Sequence, residues 1–391
     1  MDLYECVHEL KSWIVLTLER EYHRRPKIVK IVPLEIALGH MSEIVRFHLD
    51  WSDHSKNLPK TVIAKIPTSK TTEESMDHSN DSIKKVPTLS SEAEEEDTIL
   101  KTMHKIEMDT YAMFKKVKCD GLAMPYLYDS LPLSSPTPCL LMEDIHSSYM
   151  FDVIDGFNDE QLYQIVDQLV ALHVYSFTHD SWKSYGMGTK MEPSYWEFVT
   201  MINETGKHLM AEYPMLKRGL TLLYEKYTAN GLWYIEYLQH YHKNDIIRIY
   251  VHGDLWAANI LWRGDKLAGI IDWALCHAGP LTEDLQRVLV TSCSVETRKR
   301  MTRTLLKYYF DSMQANMAEI RKEMPFSFED LEGDYHRTLP YTCGLTLFAV
   351  GFWSHTSIIR RGKPDDDARM NELVSRLQSL LEDTVVAHKW Q

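Results

Sequence analysis

Hydrophobic positions recur at two spacings along this chain, and the change between them marks out its elements. Val7, Leu10, Ile14, Leu18 and Tyr22 fall at helical intervals and stop before Pro26, which predicts a helix over roughly residues 1–25. From there the period shortens to two. Lys27 to Val32 reads as a strand, and Val45, Phe47, Leu49 and Trp51 alternate with Arg46, His48 and Asp50. Thr61 to Ile66 follows as a third strand, and a turn at Gly39 to Ser42 joins the first two. Short connections between such strands predict a small antiparallel meander.

The pattern then breaks. Residues 67–97 are rich in Ser, Thr, Glu, Asp and Lys and nearly free of aromatics, a composition that buries too little apolar surface to offset ordering, so the segment reads as an inserted disordered stretch. Helical periodicity returns over Ile99–Val117, with Met103, Ile106, Thr110, Met113 and Val117 on one face. Leu140 to Asp144, after Pro136 and Pro138, reads as a strand leading to a hinge. Beyond it the chain is mainly helical. Leu162, Ile165, Val166, Leu169 and Leu172 form one stripe, residues 215–242 a further helix, Thr297–Met317 another, and Met370 to Leu381 a last one after Pro364. The expected architecture is α+β, with a small antiparallel-sheet lobe over residues 1–141 and a larger helical lobe over residues 142–391.

Composition narrows the function classes. A chain of 391 residues, 44% hydrophobic, can bury a large core in two lobes. Its net charge of -13 and pI near 5.8 exclude a general nucleic-acid binder, which needs clustered Lys and Arg. Six scattered cysteines without C-x-x-C or zinc-type spacing read as reduced thiols in a cytoplasmic protein. The acidic start Met1 to Glu5 is unlike a signal peptide, and no apolar run approaches the roughly 20 residues that span a bilayer, so no membrane partner is expected.

The candidate chemistry is concentrated between Val251 and Trp273. Ile249 to Val251 reads as a buried strand delivering His252-Gly253-Asp254 to a loop. Ile260 to Trp262 and Leu267 to Ile271 read as a hairpin turning at Gly264-Asp265. Such a hairpin brings Asn259, where it begins, beside Asp272, where it ends. An amide oxygen and a carboxylate converging next to a loop Asp suit a hard cation such as Mg²⁺.

H-G-D-L-x-x-x-N followed by I-I-D-W resembles the core of the eukaryotic-like kinases. Gly253 stands where H-R-D has Arg, Trp273-Ala274 replace the Phe-Gly of D-F-G, and no A-P-E follows. The variant is similar to the small-molecule branch of aminoglycoside phosphotransferases and choline kinases, and most closely to the CHK kinase-like, or ecdysteroid kinase-like, proteins of insects and nematodes. The resemblance implies a two-lobed protein-kinase-like fold with ATP and Mg as cofactors and a small-molecule hydroxyl as phosphate acceptor. It implies Asp254 as the group that orients that hydroxyl and takes its proton, and Asn259 and Asp272 as metal ligands. Lys65, in V-I-A-K, would contact the α and β phosphates. Glu107, in E-x-x-x-Y, would hold its ammonium, with Asp109 as the alternative. Backbone amides of the Gly39 to Ser42 turn and the Ser42 hydroxyl would cover the phosphates, and Leu141, Met142 and Glu143 would form the adenine hinge. His252 reads as a brace for the loop, His173 as a core histidine, and Glu283-Asp284 as the start of a helix. A protein acceptor is disfavoured by the missing Arg and A-P-E. A non-catalytic nucleotide- or metabolite-binding module on the same fold is the alternative.

Overall fold

The structure, a computed structural model, describes residues 3–34, 42–52, 58–68, 93–188, 194–243 and 246–391. Gly39 and residues 69–92 of the expected insertion lie outside the described residues. Five strands, β1 (Pro26–Leu34), β2 (Ser42–Trp51), β3 (Thr61–Pro67), β4 (Leu127–Leu131) and β5 (Cys139–Glu143), form one sheet in the order β1-β2-β3-β5-β4. Every neighbouring pair is antiparallel. The meander is thus as the alternation predicts. β4 was not expected, because Leu127 to Leu131 is too short and too polar to show a period.

The alternation decides which face does what. Val45, Phe47, Val62, Ala64 and Leu141 point to one side and close on Leu10, Ile14 and Leu18 of α1 (Leu3–Tyr22). Their neighbours Ile63, Lys65 and Met142 therefore point to the other side, where Leu140 and Met142 pack with Ile106 and Met113 of α2 (Ala93–Lys116). α2 begins at Ala93, earlier than predicted.

The remainder is helical. α3 (Asp159–Thr178) opens on an Asn158–Gln161 capping box and buries the predicted Leu162 to Leu172 stripe. α4 (Ser194–Glu212), α5 (Lys217–Leu223), α6 (Trp233–Lys243) and α7 (Glu283–Thr291) follow, then α8 (Val295–Glu319), α9 (Phe328–Trp353) and α10 (Asp366–Ala387). The single helix expected over 215–242 is broken. α5 passes into a π-helical turn at Tyr224–Thr228 and the chain turns at Asn230-Gly231, where the Asn230 side chain accepts from Leu232 N–H at 3.1 Å. A Cβ on Gly231 would lie 2.3 Å from the outer edge of the exposed Trp196 ring, so glycine lets that ring lie against the turn. α9, by contrast, runs through Pro340. The proline removes the N–H that would reach His336 O, and His388 from the end of α10 donates its Nε2–H to that carbonyl at 2.8 Å instead.

His173 on α3 is buried, with Nδ1 at 2.7 Å from the Tyr309 hydroxyl. Burial disfavours its charged form and lowers its pKa from 6.5 to about 3. The unfolded chain therefore binds a proton here that the folded chain refuses, and stability is lost as pH falls below about 6.5. Between pH 6.5 and about 5 the loss should be on the order of 2 kcal/mol. Urea unfolding of His173→Gln should show a smaller loss over that interval than the wild type; equal losses would contradict this reading.

Candidate functional site

The loop after β6 (Ile249–Val251) is shaped by its own residues and by α7. β6 pairs with β9 (His277–Gly279), which places the loop against the first turn of α7. There the buried Asp284 carboxylate accepts the N–H groups of His252 at 2.8 Å and Gly253 at 3.0 Å. Burial pushes its carboxyl up, a shift that the two amide bonds and His252 oppose. His252 accepts Asp254 N–H on Nδ1 at 3.2 Å and donates Nε2–H to Ile271 O at 2.9 Å. The ring therefore ties the loop to the strand end beside Asp272. Gly253 takes φ +81°, and a Cβ there would lie 2.3 Å from Leu275 O, which accounts for glycine at a position where protein kinases have arginine.

The hairpin of β7 (Ile260–Arg263) and β8 (Lys266–Ile270) closes as its sequence predicts, with Ile260 opposite Ile270 and Ile271 N–H donating to Asn259 O at 3.0 Å. Asn259 and Asp272 consequently flank one end of it. The Asn259 Nδ2 donates to Asp254 O at 2.8 Å and lies 3.4 Å from Asp254 Oδ2. That anchors the amide and leaves Oδ1 without a partner among the described residues. Asp272 sits in the left-handed region at φ +65°, ψ +61°, a conformation costing a non-glycine residue about 1–2 kcal/mol.

Lys65 joins this hairpin to the sheet and α2. Its Nζ is 2.6 Å from Asp272 Oδ1 and 2.8 and 2.7 Å from the two Glu107 oxygens. Burial alone would lower the Lys65 pKa, but the two carboxylates outweigh it and raise it above the ordinary lysine value. Burial raises Glu107, with Lys65 opposing, whereas at Asp272 the burial penalty is overcome by Lys65 and the pKa is lowered. Asp272 and the free Asn259 oxygen are hard donors of the kind Mg²⁺ takes while keeping water and phosphate in its remaining positions.

Other expected residues stand differently. Asp109 pairs with Lys105 at 2.6 Å on the exposed side of α2 and does not join Lys65. Met142 is buried on the Lys65 face of the sheet. Glu143 donates its N–H to Tyr126 O at 2.8 Å and accepts Tyr126 N–H on its carboxylate at 3.1 Å, so both groups face β4. Ser42 opens β2, two residues before Ile44, the register partner of Lys65. Two charged contacts escaped the sequence reading. Arg46 of β2 makes a fork to Asp144 (Nε to Oδ2 2.7 Å, Nη2 to Oδ1 3.1 Å), and Arg287 of α7 binds Asp254 Oδ1. Of Arg287 the sequence says only that it shares a helix face with Asp284, three residues before it, and nothing of Asp254.

An antiparallel sheet, a helical remainder and this loop and hairpin between them define a protein-kinase-like fold. The choline kinase of Cryptosporidium parvum shares it, at 11% identity and a TM-score of 0.50 over 92% of each chain. The chain itself belongs to the family DUF1679, described as "Uncharacterized oxidoreductase dhs-27", which matches residues 29–391. Two Caenorhabditis elegans proteins are related. The "Uncharacterized oxidoreductase dhs-27" is 25% identical over 363 residues, which is 88% of this chain but 41% of that protein's length. The "Uncharacterized kinase-like protein D1044.1" is 22% identical over 383 residues, 91% of this chain and 93% of its own length. No described helix is long and apolar enough to cross a membrane.

The glycine argument is open to a direct check. Gly253→Ala must displace the Leu275 carbonyl, whereas Gly264→Ala, also at positive φ, meets nothing within 4 Å. Gly253→Ala should lose at least about 1 kcal/mol more than Gly264→Ala in urea unfolding; equal losses would show that the close approach carries no weight.

Proposed function

We propose that the chain is an ATP- and Mg²⁺-dependent small-molecule kinase that transfers a γ-phosphoryl group to a hydroxyl, with nucleotide bound between the lobes of residues 1–141 and 142–391. The observation that carries this reading is the Lys65–Glu107–Asp272 cluster, 2.6 to 2.8 Å across each contact, beside Asp254 and Asn259. Phosphoryl transfer needs reactants held in line and charge neutralised more than it needs covalent help. Lys65, kept charged and aimed by Glu107, binds phosphate oxygens. Asp272 and Asn259 Oδ1 would hold Mg²⁺, which would supply neutralisation of the phosphate charge. Asp254 orients the acceptor hydroxyl and takes its proton as the new bond to phosphorus forms, a contribution of about 10² to 10⁴ in rate, or roughly 3–5 kcal/mol.

The name of one relative raises a second reading, an oxidoreductase. A nicotinamide-binding domain calls for a parallel sheet and a G-x-G-x-x-G turn. The described strands pair antiparallel, and the sequence contains no such glycine pattern. The chain also spans 41% of that relative, so the name can refer to its other part.

Incubation with labelled ATP and a protein-free metabolite extract should put label into small molecules and not into added proteins. Asp254→Ala should keep its affinity for Mg-ATP and lose at least about 100-fold in turnover. Unchanged labelling by that variant would refute Asp254 as the base, and label appearing only in protein would refute the acceptor class.

A further inference from the structure

We propose that Arg287 is the positioning residue for Asp254, fixing which carboxylate oxygen receives the acceptor; the inference rests on the reading of Asp254 as the base. Arg287 donates Nη2–H at 2.8 Å and Nε–H at 3.2 Å, both to Asp254 Oδ1. Among the described residues Oδ2 has only the Asn259 amide, at 3.4 Å. The carboxylate is therefore held by one oxygen and offers the other, and the Asp254 side chain is 25% exposed where that of Arg287 is 10% exposed. An acceptor hydroxyl reaches Oδ2 while Arg287 keeps the group from turning.

The guanidinium is itself fixed from several directions. Its Nη1 lies 3.4 Å from Leu345 O on α9, and its plane lies over the Trp353 ring at 5.7 Å. Trp353 stacks on Trp256 at 4.5 Å, and Trp256 follows Asp254 by two residues, so the contacts run from the loop through both tryptophans and Arg287 back to Asp254. All nine residues of α7 are buried, which makes the helix a rigid mount. Asp284, one turn before Arg287, holds the two preceding amides of the same loop. The helix thus grips the loop with an anion at His252-Gly253 and a cation at Asp254. Among the described residues Arg287 contacts neither Lys65, Glu107, Asn259 nor Asp272, so its effect should fall on turnover and not on nucleotide binding.

Hydrolysis of Mg-ATP provides a readout that needs no identified acceptor. Water bound at Oδ2 attacks the γ-phosphorus, the bond to the β-γ bridging oxygen breaks, ADP leaves, and Asp254 passes the water's proton to solvent. Arg287→Gln should lower kcat about 10- to 100-fold with KM for Mg-ATP within about twofold. Arg287→Lys, which restores a point charge without the fork, should recover part of the loss and serves as the test if Arg287→Gln does not fold. In an Asp254→Asn background the Arg287 substitution should cost nothing further, because a residue that acts through Asp254 has nothing left to position. Additive losses in that double-mutant cycle, or a loss confined to KM, would overturn the proposal as a merely structural effect. Hydrolysis by Asp254→Asn at the wild-type rate would instead overturn the reading of Asp254, and the proposal with it.

Discussion

One ammonium group is shared by three parts of the chain that are far apart in sequence. Lys65 Nζ bonds Glu107 of the helix that backs the sheet and Asp272 at the end of the hairpin. A buried ammonium without partners would be too costly to keep charged, and so would the buried Glu107 carboxylate without it, whereas the Asp272 side chain is 42% exposed and depends on it less. The position of α2 against the sheet, and of the hairpin against both, is thereby tied to a single charge balance. Replacing a buried ion cluster by apolar side chains is commonly neutral or stabilising, so fold stability alone does not explain why these three are ionic. The proposed function would explain it, since a phosphate requires the ammonium and a divalent cation the carboxylate.

The second centre of organisation is α7. Its Asp284 and Arg287 hold the two halves of the loop that His252, Gly253 and Asp254 make, and His252 connects that loop to Ile271 immediately before Asp272. Asp254 and Asp272 are therefore positioned by shared contacts. The left-handed conformation of Asp272 and the close approach at Gly253 are local costs of that arrangement, of the kind that concentrates at functional sites.

What was legible in the sequence follows from distance along the chain. Asn259 and Asp272 could be placed side by side because the hairpin between them is a local structure with a local signal, Gly264-Asp265. The two faces of the sheet followed from alternation, which put Lys65 opposite to Val62 and Ala64. Glu107 depended on a motif for its role, while helical periodicity set it apart from Asp109, which two residues on points to another face of the helix. Contacts made only by the packed fold were not legible. Arg46 with Asp144 and Arg287 with Asp254 join elements whose relative position no local pattern encodes. The break at Asn230-Gly231 was hidden for a related reason, because a π-helical turn carries the apolar periodicity on past the point where α5 ends. Pro340 would conventionally end a helix, yet α9 continues through it, with the freed His336 carbonyl met by the distant His388.

The central claim is that Lys65, Glu107, Asn259 and Asp272 form a site for a nucleotide and its metal ion. Thermal unfolding of the wild type and Asp272→Ala with ATP, with and without Mg²⁺, tests it most directly. At a ligand concentration about 100 times the dissociation constant, binding should stabilise the wild type by roughly 2.7 kcal/mol, and a Mg²⁺-dependent rise in Tm should appear. Asp272→Ala should lose the Mg²⁺-dependent part of that rise. A wild-type Tm unmoved by Mg-ATP, or an undiminished Mg²⁺-dependent rise in Asp272→Ala, would contradict the account.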